Sequence, residues 1–258
     1  MENNHEIFDV TDETIEDLSV LCVPPENRDQ PAFVKGIQTK IEWAKTMLDT
    51  HGSFAKLAYV NSELAGMIQY VSIPHEQIIK IQCIFVPDKK FHKRGIGSRL
   101  TRALVNEMRN PQSAIDSLNP RALLAYAFEV PGWYSQHTFF EKMGFIPLAN
   151  DPDYLYYPLQ EGYVYTKNRY IPQEEDEGIA LIFFDPSCPF SVPFHEKLIQ
   201  SLTEITDIPI RVIDIFKEED EVKKRGWVPH CAVNGVPIHS FVFDDTFSSE
   251  VKHALPEE

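Results

Sequence analysis

The chain has 258 residues, 43% of them hydrophobic, and a formal net charge of −15 from 24 basic and 39 acidic side chains. That length suits two modest domains or one large one, and the acidic balance argues against nucleic acid, whose phosphates demand a basic face. No apolar run approaches the roughly 18–20 residues that cross a bilayer, and the acidic start MENNHEIFDVTDE lacks a secretion signal, so a cytoplasmic location away from membranes is expected.

In chain order, HEIFDVT (residues 5–11) reads as a first strand, and Thr11–Asp12 caps a helix running from Glu13 toward Leu21. Phe33, Ile37, Ile41, Ala44 and Leu48 recur at helical spacing and predict a second helix over 32–51. Residues 54–60 and 64–73 form a hairpin around Asn61-Ser62-Glu63. A fourth strand, Ile78 to Val86, enters a basic loop that closes on Gly95-Ile96-Gly97 before an amphipathic helix. A fifth strand spans Ala122 to Val130 and stops at Pro131-Gly132. The run FFEKMGFIP (139–147) is a helix ending at Gly144, with Phe145 returning the chain to the sheet. YLYYPLQEG (154–162) and YVYTKNRY (163–170) read as two last strands. IPQEEDEG (171–178) has the composition of an unburied linker. Beyond it come a strand, turn and helix (179–202), a strand (208–216), a charged helix (217–226), a hairpin turning at Asn234-Gly235, and a closing helix (245–255).

The loop after the fourth strand carries the chemistry. Glycines let the backbone approach a ligand closely, and the first N–H groups of the helix point at it with the dipole favouring negative charge. Lys89, Lys90, Lys93 and Arg94 add formal charge at the same place. Residues 1–170 sum to about −4 (17 basic, 21 acidic) and the remainder to −11 (7 basic, 18 acidic), so this local excess favours a small anionic ligand. A Walker loop is excluded because no Lys-Ser/Thr pair follows a glycine, and a dinucleotide fingerprint is disfavoured because Leu100 stands where the third glycine belongs.

His92-Lys93-Arg94-Gly95-Ile96-Gly97 resembles motif A of the GNAT N-acetyltransferases, and FFEKMGF resembles their Phe-Tyr-Glu-Lys-Leu-Gly-Phe, about forty residues downstream as in the family. The resemblance implies an α/β (α+β) GNAT fold with a mixed sheet over residues 1–170, and acetyl-CoA as co-substrate in the splay between strands four and five. Ile84, Phe85 and Val86 would then meet the pantetheine and thioester, and His92, Lys93, Arg94, Gly95, Ile96, Gly97 and Ser98 the pyrophosphate. His92 replaces the family's Gln or Arg, and the loop after Val86 is one residue longer than usual. Phe140 stands where a tyrosine usually protonates the departing thiolate, which leaves Tyr134 or solvent for that task. Glu129 is the candidate general base, with Gln82 and Glu76 as alternatives. The acceptor implied is the amine of a small molecule or peptide.

Residues 179–258 follow the β-α-β-α-β-β-α order of a thioredoxin-like fold. Cys188-Pro189-Phe190-Ser191 resembles the Cys-x-x-Ser site of monothiol glutaredoxins, and Val228-Pro229 resembles their cis-proline loop. The whole chain is similar to GNAT enzymes with an appended YoaP-like domain. Ile238 to Phe241 departs from the Gly-Gly that helps glutaredoxins hold glutathione. Cys188 at a helix start is a candidate reactive thiol, and Ser191 excludes a disulfide within the motif. Cys22, Cys83 and Cys231 read as small apolar residues, and neither the cysteines nor the nine histidines have metal-ligand spacing, so no metal is expected. Two functions follow: an acetyl-CoA-dependent N-acetyltransferase whose second domain aids recognition, or a thiol-based redox or sensing protein using Cys188 with acyl-CoA as a regulatory input. A homodimer is compatible with either.

Overall fold

The computed structural model describes residues 5–109, 119–128, 132 and 134–255. The chain divides into two compact units, one of residues 1–22 and 44–167, the other of residues 23–43 and 168–258. The second unit thus takes in a segment far upstream of the acidic stretch at 171–178.

In the first unit the strands are β1 (His5–Asp9), β2 (Ala55–Val60), β3 (Glu63–Ile73), β4 (Ile78–Phe85), β5 (Ala122–Tyr126), β6 (Ile146–Leu148) and β7 (Asp151–Pro158). Its helices are α1 (Ile15–Leu21), α3 (Ile96–Arg109) and α4 (Gln136–Lys142), and α2 (Pro31–His51) contributes residues 44–51. The strands form one sheet in the order β1-β2-β3-β4-β5-β7-β6. All pairs are antiparallel except β4 with β5. The first hairpin turns through Asn61 and Ser62 with φ of 50° and 65°, the left-handed pair of a two-residue turn matching strand twist. Ile96, Leu100, Leu104, Val105 and Met108 give α3 a buried stripe that packs with Leu123, Ala125, Leu155 and Phe140 on one face of the sheet.

The ends of this sheet differ from the sequence expectation. Residues 146–148 supply the strand beside β7, and 163–170 do not form one; only Tyr170 bridges, to Gly226. Ile146-Pro147-Leu148 is too short to show a period-two pattern, whereas the alternation in YVYTKNRY imitates a strand. β5 ends at Tyr126, short of the expected Val130, with Ala127 and Phe128 outside the strand; Glu129 and Val130 lie outside the described residues.

The second unit has β8 (Ala180–Phe184), α5 (Ser191–Ile205), β9 (Ile210–Asp214), α6 (Glu219–Lys224), β10 (Cys231–Val233), β11 (Val236–Ile238) and α7 (Phe247–Ala254). Its sheet runs β11-β10-β8-β9, with β8 and β9 parallel and the other pairs antiparallel. The hairpin turns at Asn234 and Gly235, both at positive φ. No cis peptide bond occurs among the described residues, so Val228–Pro229 is trans.

Within the acidic stretch, which is otherwise mostly exposed, one residue is buried against the expectation from composition. Asp176 is fully buried and receives Nε and a short Nη2 contact from Arg225, itself fully buried. Asp176 also accepts from the Gln173 backbone and the Tyr170 hydroxyl, and Arg225 donates to Glu221. Burial works against the ionised Asp176, but Arg225 and the Gln173 N–H outweigh it and hold the carboxyl below its usual range. A carboxyl depressed in the folded state stabilises above its unfolded pKa, and that stability disappears as pH falls through the depressed value. Removing one member of a buried pair strands the other, a loss of about 3–5 kcal/mol. Arg225→Ala is therefore expected to lower the urea midpoint of the second unit at pH 7 strongly, and the difference from wild type should shrink in acid. Urea titrations at pH 7 and pH 3 check both statements.

Candidate functional site

The ladder between β4 and β5 is short: it runs from Ile78↔Ala122 to Ile81↔Ala125. β4 continues to Phe85, still paired with β3 through Met67↔Phe85, Ile68↔Ile84 and Gln69↔Cys83. The register jumps between Gln69↔Cys83 and Tyr70↔Ile81, which makes Gln82 an extra residue on β4. A bulge of this kind bends and twists its strand, and it falls where β4 outruns the β5 ladder. The Gln82 side chain accepts from Gln69 Nε2 at 3.0 Å, which ties it to β3.

Gly66 on β3 lets the end of β4 lie close. A Cβ there would sit 2.8 Å from the Phe85 carbonyl oxygen and 2.9 Å from Val86 Cγ2. After Val86 the loop doubles back through a short helical turn at Lys89–Phe91, capped by Asp88. His92 Nε2 lies 2.8 Å from the Val86 carbonyl oxygen, and since a carbonyl only accepts, this nitrogen carries the proton. Phe91 is buried in the core beneath the loop. Lys93 and Gly95 then take left-handed backbone, φ 59° and 75°, which only glycine adopts without cost. α3 begins immediately after.

The predicted cofactor residues are brought together with differing roles. Ile84 and Val86 pack on the core that holds α3, so their side chains face that side of the sheet. Ile96 is buried and offers only its backbone, whereas Lys93, Arg94 and Gly95 are exposed. Gly97 and Ser98 occupy the first turn of α3. A Cβ on Gly97 would meet the Phe139 ring at 3.4 Å and Ile84 Cδ1 at 3.8 Å, so α3, α4 and β4 converge at this residue. The sequence counted Lys90 among the loop's charges, but it is paired with Glu63 and with Asp88 at 3.2 Å. Glu63 lies at the start of β3, and no local pattern announces that partner.

The catalytic candidates are not gathered in the same way. Glu129 lies outside the described residues. Tyr134 is 58% exposed, and its hydroxyl accepts from Lys142 Nζ at 2.6 Å. Ser135 caps α4 by accepting from the Thr138 N–H, and Gly144, φ 91°, follows its end. Phe140 is buried between Phe139 and Phe145, at centroid distances of 5.2 and 5.0 Å. Phe140 thus contributes an apolar ring to the core and no hydroxyl. Glu76 accepts a short hydrogen bond from the Tyr165 hydroxyl.

In the second unit Cys188 is exposed just before α5, and the Ser191 N–H donates to its carbonyl at 3.0 Å. The adjoining turn is packed by the unit's own residues 23–43. A Cβ on Gly36 would lie 2.1 Å from the Pro189 carbonyl oxygen, and Phe33 meets Phe190 edge-on at 5.1 Å. Cys231 is buried, and burial first, then Glu250, pushes its thiol up to about 12. Among the described residues no group of three or more His, Cys, Asp or Glu is placed to hold a metal, and no helix is long and apolar enough to cross a membrane.

Residues 15–130 match the model of the acetyltransferase (GNAT) family. This segment is a GNAT acetyltransferase domain, an acyltransferase whose co-substrate is acetyl-CoA. No curated protein matches the chain. Among solved structures, an acetyltransferase of the GNAT family from Staphylococcus aureus Mu50 is 14% identical over 61% of this chain and 100% of its own, with a TM-score of 0.45. Ard1 from Thermoplasma volcanium is 13% identical over 59% of this chain and 94% of its own, TM-score 0.39. N-acetylglutamate synthase from Neisseria gonorrhoeae, solved with coenzyme A and L-arginine, is 14% identical over 62% of this chain, TM-score 0.40. The present chain spans 34% of that synthase.

The His92–Val86 bond closes the loop across its base, and such a bond contributes about 0.5–1.5 kcal/mol. His92→Ala is expected to weaken acetyl-CoA binding about threefold to tenfold, read by calorimetric titration, without changing the melting temperature of the second unit.

Proposed function

We propose that this protein transfers the acetyl group of acetyl-CoA to a primary amine of a small molecule or peptide by direct attack. The observation that carries the reading is the extension of β4 beyond its ladder with β5, directly ahead of the loop and the first turn of α3. In this reading the pantetheine lies along Ile84 to Val86 and takes the edge that β5 would otherwise cover. The backbone N–H groups of residues 93–98 hold the pyrophosphate, and the left-handed backbone at Lys93 and Gly95 suits an anion-binding loop ahead of a helix start. Exposed Arg94 and Lys93 supply the counter-charge.

The neutral amine nitrogen attacks the thioester carbonyl, whose developing oxyanion is stabilised by a fixed N–H at the end of β4. An N–C bond forms, the C–S bond breaks, and the nitrogen loses a proton to Glu129 or through water. The thiolate is protonated by solvent, which suffices for a thiol with a pKa of about 8.5, or by Tyr134, whose hydroxyl oxygen accepts from Lys142.

The second unit is read as a thioredoxin-like, YoaP-like domain over residues 179–258 that aids acceptor recognition. The parallel β8-α5-β9 unit with antiparallel β10 and β11 supports that reading. The packing of Phe33 and Gly36 onto the Pro189–Phe190 turn favours a structural use of that turn over a redox cycle. Cys231, protonated at neutral pH, does not supply a second thiolate.

Calorimetric titration with acetyl-CoA is expected to give micromolar binding to wild type and none to Gly97→Glu, whose side chain would meet Phe139. Amine acetylation, read by mass spectrometry, should vanish in that variant and persist in Cys188→Ser. Activity lost with Cys188→Ser and kept with Gly97→Glu would overturn the reading in favour of thiol chemistry.

A further inference from the structure

The acceptor side of this site carries a feature that amine transfer alone does not require. Leu123 and Ala125 of β5, and Ala127 just beyond it, belong to the core containing α3 and Phe140 of α4. Strand alternation therefore sends Tyr126 to the opposite face, and the Phe128 ring lies beside it. Both are large and solvent-facing, at 44% and 48% exposure. One hydrogen bond lies beyond the end of β5, from the Ala127 N–H to the Asp153 carbonyl at 2.8 Å.

Tyr126 pairs across the sheet with Tyr154 of β7. Its ring centroid is 4.8 Å from that of Tyr154 and 6.1 Å from that of Phe128, the latter pair only 27° from parallel. Three rings thus form a row on one face. Tyr154 already seats an ammonium: Lys167 Nζ lies 3.8 Å from its centroid and is paired with Asp151. Tyr126 and Phe128 keep exposed ring surface beside it.

The position matters as much as the composition. Ala125 is the last β5 residue paired with β4, so Tyr126 and Phe128 stand where the two strands part. In the proposed function the pantetheine takes the β4 edge that β5 leaves uncovered, and these rings border that gap. Burial first, then Asp153 and Asp151, raises the Tyr126 hydroxyl above the usual phenol range, and Asp151 is paired with Lys167. Ring faces here hold an ammonium, as Tyr154 holds Lys167, and a flat apolar body gains by offset stacking on exposed rings.

We infer that Tyr126 and Phe128 are specificity-determining residues, and that the acceptor is a primary amine on a short chain attached to an aromatic ring. This rests on the proposed function and narrows it to an arylalkylamine class, with the ring stacked on Phe128 and Tyr126 and the amine directed into the gap between β4 and β5.

The test uses the full chain with acetyl-CoA and three amines: 2-phenylethylamine, n-hexylamine and 1,5-diaminopentane. Products are quantified by mass spectrometry and acetyl-CoA binding is measured separately by calorimetry. The expected kcat/KM for 2-phenylethylamine exceeds that for either aliphatic amine by about tenfold, the scale of one stacked ring pair. Phe128→Ala and Tyr126→Ala should each raise KM for 2-phenylethylamine about fivefold to tenfold, leave n-hexylamine kinetics little changed, and leave the acetyl-CoA Kd unaltered. Equal or better use of the aliphatic amines, no acetylated 2-phenylethylamine, or a preference that survives Phe128→Ala would each overturn the inference while acetyl-CoA binding stands. Absence of acetyl-CoA binding would overturn it together with the proposed function. Phe128→Leu, which keeps volume and removes the ring, separates loss of stacking from loss of fold.

Discussion

The short parallel pairing of β4 with β5 is the constraint on which the first unit depends. Only residues 78–81 of β4 are laddered to residues 122–125 of β5, yet β4 runs on to Phe85. The extra residue at Gln82 adds a bend at that point, and Gln69 holds it. Gly66 lets the end of the strand pass, Gly97 lets α3 and α4 close on it, and His92 ties the loop that follows. Each of these residues serves one geometry, a strand edge next to a helix N-terminus. That combination suits a ligand with an extended amide arm and a pyrophosphate, which is what acetyl-CoA presents.

The two faces of the sheet divide the work. One is packed by α3 and α4 into a continuous apolar core. The other, at the end of β5, presents aromatic rings and carboxylates in place of aliphatic cover. The second unit is organised differently, around a buried ion pair that fastens the acidic stretch to the end of α6. Such a pair gives little net stability relative to an apolar replacement, but it penalises any arrangement that separates its partners.

Much of the fold was legible because its signals are local. Positive-φ turns at Asn61-Ser62 and Asn234-Gly235, the apolar stripe of α3 and the glycine after α4 all act within a few residues. The loop at 92–98 was legible for the same reason: glycine spacing and a helix start are contiguous features. What the sequence hid is long-range. The partner of Asp176 is 49 residues away, and that of Lys90 is 27 away, so their charges read as solvated when they are paired. The strand at 146–148 has too few residues to show a period, and Pro147 argues against it locally. The packing of residues 33–36 on the Pro189 turn joins segments more than 150 positions apart, which no linear pattern encodes. The aromatic row was visible only as scattered Tyr and Phe until β7 placed Tyr154 beside Tyr126.

Amide hydrogen–deuterium exchange, with and without acetyl-CoA, tests the central claim most directly, because it reports which backbone N–H groups the cofactor covers. The account predicts new protection concentrated in peptides spanning residues 82–100, where β4 outruns its ladder and α3 begins. Protection centred instead on residues 185–195, with none at 82–100, would contradict it.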